Sequence, residues 1–466
     1  MNPLGDDRLL AELLDRAGDP DGFARFEAQG EACGWCRQPV RLMGSVEEVD
    51  PDGSRRRVVY STTTEPDGEL LMACGSRRAT RCPSCAEIYQ GDARQLIGSG
   101  LRGGKGVPET VVDHPAVFAT FTAPSFGAVH GQRIRGGRAH PCRPGTPKER
   151  CPHGRPLACW VRHTDADPAL GEALCPECFD YEAAVLWNSL SSELWRRTTI
   201  YLRRMIARLV GVSEKELAKL ARVSFSKVVE YQRRGVVHVH AVIRLDGAGE
   251  EIDSPPADFD VGLLQLAVHL AARQVAVHYP DGTISGQAHW GTQVDIRPIG
   301  NGSTNDPNPG AVANYIAKYA TKSADSIGAL DHRLRGPADL NSRELPQHLG
   351  RLARTAWDLG GRDELARLNL QRWAHDLGHR GHWLTKSRRW STTFRALRAE
   401  RQNWRLAQCR STEPTGGTTE RIGAWSVVGF GWRTSGDACL ADGRQRMRSE
   451  GRQLARQARR EMEATA

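Results

Sequence analysis

The sequence predicts an α+β fold in which helices flank a central antiparallel sheet, with small zinc-binding modules and a basic, mostly helical C-terminal region attached. Three observations predict it: strand-like runs interleaved with helical patterns, one hairpin among those runs, and cysteines that come in close pairs. Three regions are expected. Residues 1–110 hold a zinc-ribbon-like module, residues 111–330 hold the sheet domain with a Cys/His-rich insert at about 136–182, and residues 331–466 form the basic C-terminal region.

The elements follow in order. "DDRLLAELLDRAGDPDGFARF" has leucines at helical spacing and then a Gly-Asp-Pro stop, which predicts a short amphipathic helix. "RRRVVYSTTT", between "CGWC" and "CPSC", is rich in β-branched residues and predicts a strand, while "AEIYQGDARQLIGSG" predicts a helix. "HPAVFATFTAP" at 114–124 predicts a strand ended by proline. From about 136 to 178 the composition turns to Gly, Pro, Arg, Cys and His, which cannot make an ordinary core and needs a staple. A long helical pattern, "YEAAVLWNSLSSELWRRTTIYLRRMIARLVG", precedes the hairpin "VSFSKVVEYQRRGVVHVHAVIRLDG", whose turn falls at Arg233 to Gly235. Then come the helix "VGLLQLAVHLAARQVAVHY", the strand "TQVDIRPI", a polar Asn/Gly/Pro loop and the helix "GAVANYIAKYATKS". A low-complexity linker, "STEPTGGTTE", lies near 411.

Lysine plus arginine number 64 against 55 acidic residues, a net charge of +9, so a polyanionic partner is expected, with nucleic acid first. No basic-then-apolar leader and no apolar run long enough for a bilayer is present, which predicts a cytoplasmic protein without a membrane partner. The Gly-rich stretch 98–106 is not a phosphate loop, because Lys105 is followed by glycine; an ATP-driven motor is not expected.

The twelve cysteines in a reducing compartment point to metal rather than disulfides. Cys33 and Cys36 with Cys82 and Cys85 form two Cys-x-x-Cys knuckles, the ligand set of a zinc ribbon, with Cys74 as a spare or a substitute. Cys175 and Cys178 form a third pair, for which Cys151 and Cys159 are the chosen partners and Cys142, His153 and His163 the competitors. Two structural zinc ions are therefore expected, each with four protein ligands and no open position. Cys409 and Cys439 read as ordinary thiols.

The chemistry concentrates in "EYQRRGVVHVHAVIRLD" at 230–246 and "NYIAKYATK" at 314–322. His238 and His240 are two apart on a strand, so both imidazoles share one face, with Val237, Val239 and Ala241 on the other. Two imidazoles suit a divalent ion, and Glu230 or Gln232, across the turn, is the candidate third ligand. Tyr315 and Tyr319 are four apart on a helix and share a face, with Lys318 and Lys322 able to supply a cation that favours the phenolate.

Together these motifs resemble the HUH endonucleases. "HVHAVIRL" is similar to their His-hydrophobic-His motif, "YIAKYATK" to the Tyr-x-x-Lys-Tyr-x-x-Lys motif of their rolling-circle replication initiators, and "FATFTAP" to their first motif, all in the expected order. Within that superfamily the stretch from about 30 to 400 resembles initiators of actinobacterial plasmids and integrative conjugative elements, also through "CPHGRPLACWVRH", "LCPECFDYEAAVLWN" and "GHWLTKSRRWSTTF". The resemblance implies an HUH domain at 111–330, Mg²⁺ or Mn²⁺ on His238, His240 and Glu230 or Gln232, and Tyr319 as first nucleophile with Tyr315 as a second. It implies origin-specific nicking and rejoining of single-stranded or hairpin DNA through a 5′-phosphotyrosine, with Lys322 and Lys318 stabilising charge, and a host helicase and DNA polymerase as partners. Conjugative relaxases carry the tyrosine before the histidines, whereas here it follows. A two-tyrosine transposase and a non-catalytic zinc-dependent DNA-binding regulator remain as alternatives. In the basic run "TKSRRWSTTFRALRAERQNWR", Arg388, Arg389 and Trp390 are candidate DNA contacts, the arginines on phosphates and the tryptophan on bases.

Overall fold

The computed structural model describes residues 3–50, 55–280, 286–300, 308–325, 332–341, 345–409 and 420–465. The chain divides into two compact units, Asp92–Leu397 and a second one made of Met1–Gly91 with Arg398–Ala466.

In the first of these, an alternating run at 116–121 and the two 11-residue arms of the hairpin build a five-stranded sheet in the order Val294–Pro298, Ala116–Phe121, Val237–Gly247, Ala221–Tyr231, Leu384–Lys386. Every pairing is antiparallel. The hairpin closes through Gly235 N–H donating to Gln232 O (2.9 Å) and Gln232 N–H donating to Val236 O (3.0 Å). Gly235 has φ +70°, and a Cβ there would lie 2.4 Å from Leu352 Cδ1, so the turn requires glycine twice over.

Period-2 alternation sorts the sheet's side chains. Val117, Ala119, Phe121, Val229, Val239, Ala241 and Ile243 are buried in one core with Leu186, Leu190 and Leu194 of the helix Tyr181–Leu209 and Leu264, Ala267 and Val268 of the helix Val261–Gln274. Each valine, leucine, isoleucine or phenylalanine among them contributes about 1.5–3 kcal/mol of burial. Asp180 caps the long helix by accepting from Ala183 N–H (2.9 Å), and Asp260 caps the other by accepting from Leu263 N–H (2.7 Å). The latter helix ends at Gln274, five residues before the pattern predicts, because Ala276–His278 is drawn into a strand paired with Gln287–His289.

The second unit departs from the expected boundaries at 110 and 330. Glu420–Phe430 is an 11-residue strand that pairs antiparallel with Val40–Val49, so the end of the chain belongs with the N-terminal cysteines. Arg56–Ser61 and Leu70–Met72 also pair with Val40–Val49. The helices Pro3–Ala17 and Ser435–Thr465 are tied by Arg16 Nε donating to Asp437 Oδ1 (2.8 Å). Most of the polar loop before the tyrosine helix, and the linker near 411, fall outside the described residues.

Asn188, fully buried in the long helix, holds the hairpin in place. Its Nδ2 donates to Gly235 O (2.9 Å) and Leu377 O (3.0 Å), and its Oδ1 accepts from Val237 N–H (3.0 Å). Asn188→Ala strands these three backbone groups in the interior. A stability loss on the order of 3 kcal/mol is expected in chemical denaturation.

Candidate active site and metal clusters

The hairpin register decides what meets what. Glu230 stands opposite His238 and Val228 opposite His240, while Thr120 on the neighbouring strand is opposite His240 and Asp295 opposite Thr120. Paired residues share a face, so Asp295, Thr120, His238, His240 and Glu230 all project from the sheet face that points away from the long helix. A cavity of about 500 Å³ opens there, lined by His238, His240, Glu230, Thr120, Asp295 and Tyr315 among others.

The tyrosine helix, Pro309–Asp325, buries Val312, Ala313, Ile316 and Ala317 and leaves Tyr315 44% exposed. Both phenol rings reach His240: ring centroids are 5.1 Å apart for His240 and Tyr319, 5.6 Å for His240 and Tyr315, and 4.7 Å for the two tyrosines. The imidazoles themselves are 4.6 Å apart. The two motifs that the sequence separates by some eighty positions therefore adjoin. Lys318 is exposed on the same helix, and the side chain of Lys322 lies outside the described residues.

Each imidazole is held on one side and bare on the other. Thr120 Oγ1 is 3.1 Å from His240 Nδ1, and Gln232 Nε2 is 3.1 Å from His238 Nδ1 while Gln232 Oε1 accepts from Arg234 Nε (2.8 Å). The Nε2 atoms of both histidines are buried without a hydrogen-bond partner among the described residues, and Glu230 Oε1 sits 3.8 Å from His240 Nε2. A buried polar atom left unpaired is costly, so two of them side by side, next to a carboxylate, make a donor set suited to a cation. Burial, the neighbouring His240 and the Arg234 charge depress the His238 pKa to about 3, so the ring stays in the neutral form that can ligate. Burial, the hydrogen bond with Tyr315, and the Tyr315 and Glu230 charges push the Tyr319 phenol well above its ordinary pKa, so it rests protonated. Sequence reasoning missed Thr120 and Arg234; the first sits inside "FATFTAP", at the alternation phase that faces the histidines.

The cysteines and histidines form three clusters among the described residues, each with four donor atoms close enough to share a metal ion. Cys36, Cys74, Cys82 and Cys85 make the first; Cys74 takes the place expected for Cys33, whose Sγ instead donates to Gly30 O at the end of its helix (3.4 Å). The sulfurs of Cys36 and Cys82 are 3.6 Å apart, those of Cys74 and Cys85 3.7 Å, and those of Cys85 and Cys36 3.7 Å. The edge of a tetrahedron around zinc with four sulfurs is about 3.8 Å. The second cluster is Cys151, His153, Cys175 and Cys178, with His153 where Cys159 was expected. Cys159 joins a third, unexpected cluster with His130, Cys142 and His163. The backbone explains the exchange: Cys159 pairs with Arg143 as an isolated bridge, which carries its thiol to the Cys142 side.

The basic run fares differently. Trp390 is fully buried under the Arg244 guanidinium, 5.0 Å from its ring, and cannot stack on a base; Arg389 Nη1 donates to Gly249 O (2.6 Å) and Glu250 O (2.8 Å), and Arg388 is exposed. A tryptophan in an arginine-rich run reads the same from sequence whether it faces nucleic acid or the interior. No helix among the described residues is long and apolar enough to cross a membrane.

An antiparallel sheet presents two imidazoles beside two phenols, in a basic chain with three clusters that could hold metal ions. Residues 22–446 match the family described as replication initiator protein, pSAM2 (RepSA), and the chain belongs to that family of replication initiators. A replication initiator protein of Streptomyces ambofaciens is 41% identical over 469 residues, covering 97% of this chain and 96% of that protein. No solved structure matches.

The first cluster yields a direct test. Cys74→Ser is expected to lower the zinc content of purified protein by about one ion per chain, and Cys33→Ser to leave it unchanged; elemental analysis of the two variants reads the difference.

Proposed function

We propose that this initiator is an HUH-class enzyme of rolling-circle replication, which nicks one strand at its origin and rejoins it through a 5′-phosphotyrosine. The observation that supports the reading is that the His240 ring lies against the rings of Tyr319 and Tyr315 and beside His238, with the Nε2 atoms of both histidines buried and unpaired among the described residues. Membership of the replication initiator family favours this over a transposase or a regulator.

His238, His240 and Glu230 would hold Mg²⁺ or Mn²⁺, which when bound polarises the scissile phosphate and stabilises its developing charge. A metal on His238 Nε2 requires the ring proton on Nδ1, so Gln232, which faces Nδ1, would serve as an orienting residue by turning its amide oxygen to that nitrogen. Tyr319 gives up its proton and its oxygen attacks phosphorus; the Tyr–O–P bond forms as the P–O3′ bond breaks, and the departing 3′ oxygen takes up a proton. Lys318 and Lys322 would offset the charge on phenolate and phosphate. The free 3′-hydroxyl primes a host polymerase, a host helicase opens the duplex, and Tyr315 serves as the second nucleophile that ends the cycle. Strand attack requires an unpaired backbone, so the substrate is single-stranded or extruded origin DNA in the cytoplasm.

The insert supplies the surface that would grip the DNA. Arg135, Arg138, Arg143, Lys148, Arg150, Arg155 and Arg162 are all exposed, as is Trp160, and Glu149 is the sole carboxylate from 130 to 163.

Incubated with single-stranded origin oligonucleotide and Mn²⁺, the protein is expected to form a covalent adduct that Tyr319→Phe abolishes and that His240→Ala reduces by at least 100-fold, read on denaturing gels. A folded protein that gives no adduct with its own origin would overturn the reading. Alanine at Arg135, Arg138, Arg150 and Arg155 is expected to weaken origin binding and to flatten the dependence of log affinity on log salt by about 0.9 for each phosphate no longer neutralised, measured by fluorescence anisotropy across a salt series.

A further inference from the structure

We infer that residues 130–178 fold around two zinc ions held by interleaved ligand pairs, so that the segment is one cross-braced module whose metals stand or fall together. In chain order the ligands run His130 and Cys142 for one ion, Cys151 and His153 for the other, then Cys159 and His163 for the first, and Cys175 and Cys178 for the second. Each ion thus closes a loop that contains half of the other's ligands.

The spacings fit zinc in both places. His130 Nδ1 is 3.2 Å from His163 Nε2, and Cys159 Sγ is 3.5 Å from the same Nε2; in the other cluster His153 Nδ1 is 3.2 Å from Cys178 Sγ and 3.7 Å from Cys175 Sγ. Tetrahedral zinc places two nitrogens about 3.4 Å apart and a nitrogen and a sulfur about 3.6 Å apart. His163 turns its other nitrogen, Nδ1, to Asp167 Oδ2 at 2.6 Å, the carboxylate–histidine pairing that fixes a zinc ligand's tautomer and direction. Gly131 N–H donates to Cys142 Sγ at 3.2 Å, so the backbone already directs a donor at that sulfur.

Little else could order the segment. From 131 to 163 its large apolar side chains, Ile134, Leu157, Trp160 and Val161, are exposed; only beyond that do Leu170 and Leu174 become half-buried and Ala173 join the core, and its regular structure is the three-residue pair Arg133–Arg135 with Arg138–His140, the turn Pro176–Cys178 and isolated bridges. Without a hydrophobic core, metal binding must supply most of the folding free energy. Interleaving then couples the ions: releasing His163 and Cys159 frees the loop that brings Cys151 and His153 to Cys175 and Cys178.

The module also abuts the hairpin turn. Arg233 Nη2 donates to Asp165 O at 2.8 Å, between two residues of the His163–Asp167 pairing, and a Cβ on Gly171 would lie 2.3 Å from Arg233 O. Arg234, next in the chain, holds Gln232 against His238. The braced insert thus packs against the turn that carries the Arg234–Gln232–His238 contacts.

Zinc stoichiometry tests this independently of any nuclease activity. Purified full-length protein is expected to carry three zinc ions per chain by elemental analysis, one of them on the Cys36 cluster. His163→Ala and Cys178→Ser, which touch different ions of the insert, are each expected to lose two, and Cys82→Ser one. Wild-type protein treated with increasing chelator keeps the test alive if these variants do not fold: native mass spectrometry is expected to show metal leaving as a pair and a single. Three separate single losses, a loss of one ion in both insert variants, or a wild-type content of one zinc would each overturn the inference.

Discussion

The register of one hairpin governs this site. Because side chains alternate along a strand, pairing Glu230 with His238 sets Glu230, His238 and His240 on one face and Val229, Val239 and Ala241 on the other. A slip by one residue would drive both imidazoles into the apolar core and expose the valines. The fold fixes that register from several directions: the glycine turn at 235, the Asn188 bonds from the long helix, and the alternating apolar face itself.

The same strand is anchored at its far end by a buried polar group. Arg244 Nε and Nη2 donate to the Asp246 carboxylate (2.6 and 2.9 Å), His114 Nδ1 lies 2.8 Å from it and Ser224 Oγ donates to it at 2.5 Å. Burial pushes the Asp246 pKa up, yet these neighbours outweigh it and hold the carboxyl below its ordinary range. Arg244, Asp246 and Ser224 satisfy one another and can be buried at little net cost, while His114 pairs through Nδ1 and leaves its Nε2 unpaired among the described residues. The Nε2 atoms of His238 and His240, four to eight residues away on the same strand, are also buried without a hydrogen-bond partner among the described residues, but they lie at a cavity with the Glu230 carboxylate beside them, which makes them a candidate site.

Much of this was legible in the sequence, for physical reasons that differ by element. The period-2 pattern around His238 and His240 gave the strand, the shared face and the turn, and the i,i+4 tyrosines gave a helix that presents both rings together. The cysteine pairs identified metal-ligand chemistry but not the partners, since Cys74 displaces Cys33 and Cys159 changes cluster through backbone pairings that spacing does not encode. Trp390 was opaque because its partner, Arg244, is distant in the chain. The pairing of Glu420–Phe430 with Val40–Val49 was equally hidden, and it turned a C-terminal region expected to be helical into part of the N-terminal unit.

These features meet at one point in space, where the buried Nε2 atoms of His238 and His240 and the Glu230 carboxylate lie beside the tyrosine helix, the place proposed for the cation. Anomalous diffraction from crystals soaked in Mn²⁺ addresses it most directly. The expected map has a peak about 2.2 Å from Nε2 of both His238 and His240, with Glu230 in its coordination shell. A map in which manganese binds elsewhere, while the two imidazoles stay uncoordinated beside an ordered tyrosine helix, would contradict the account.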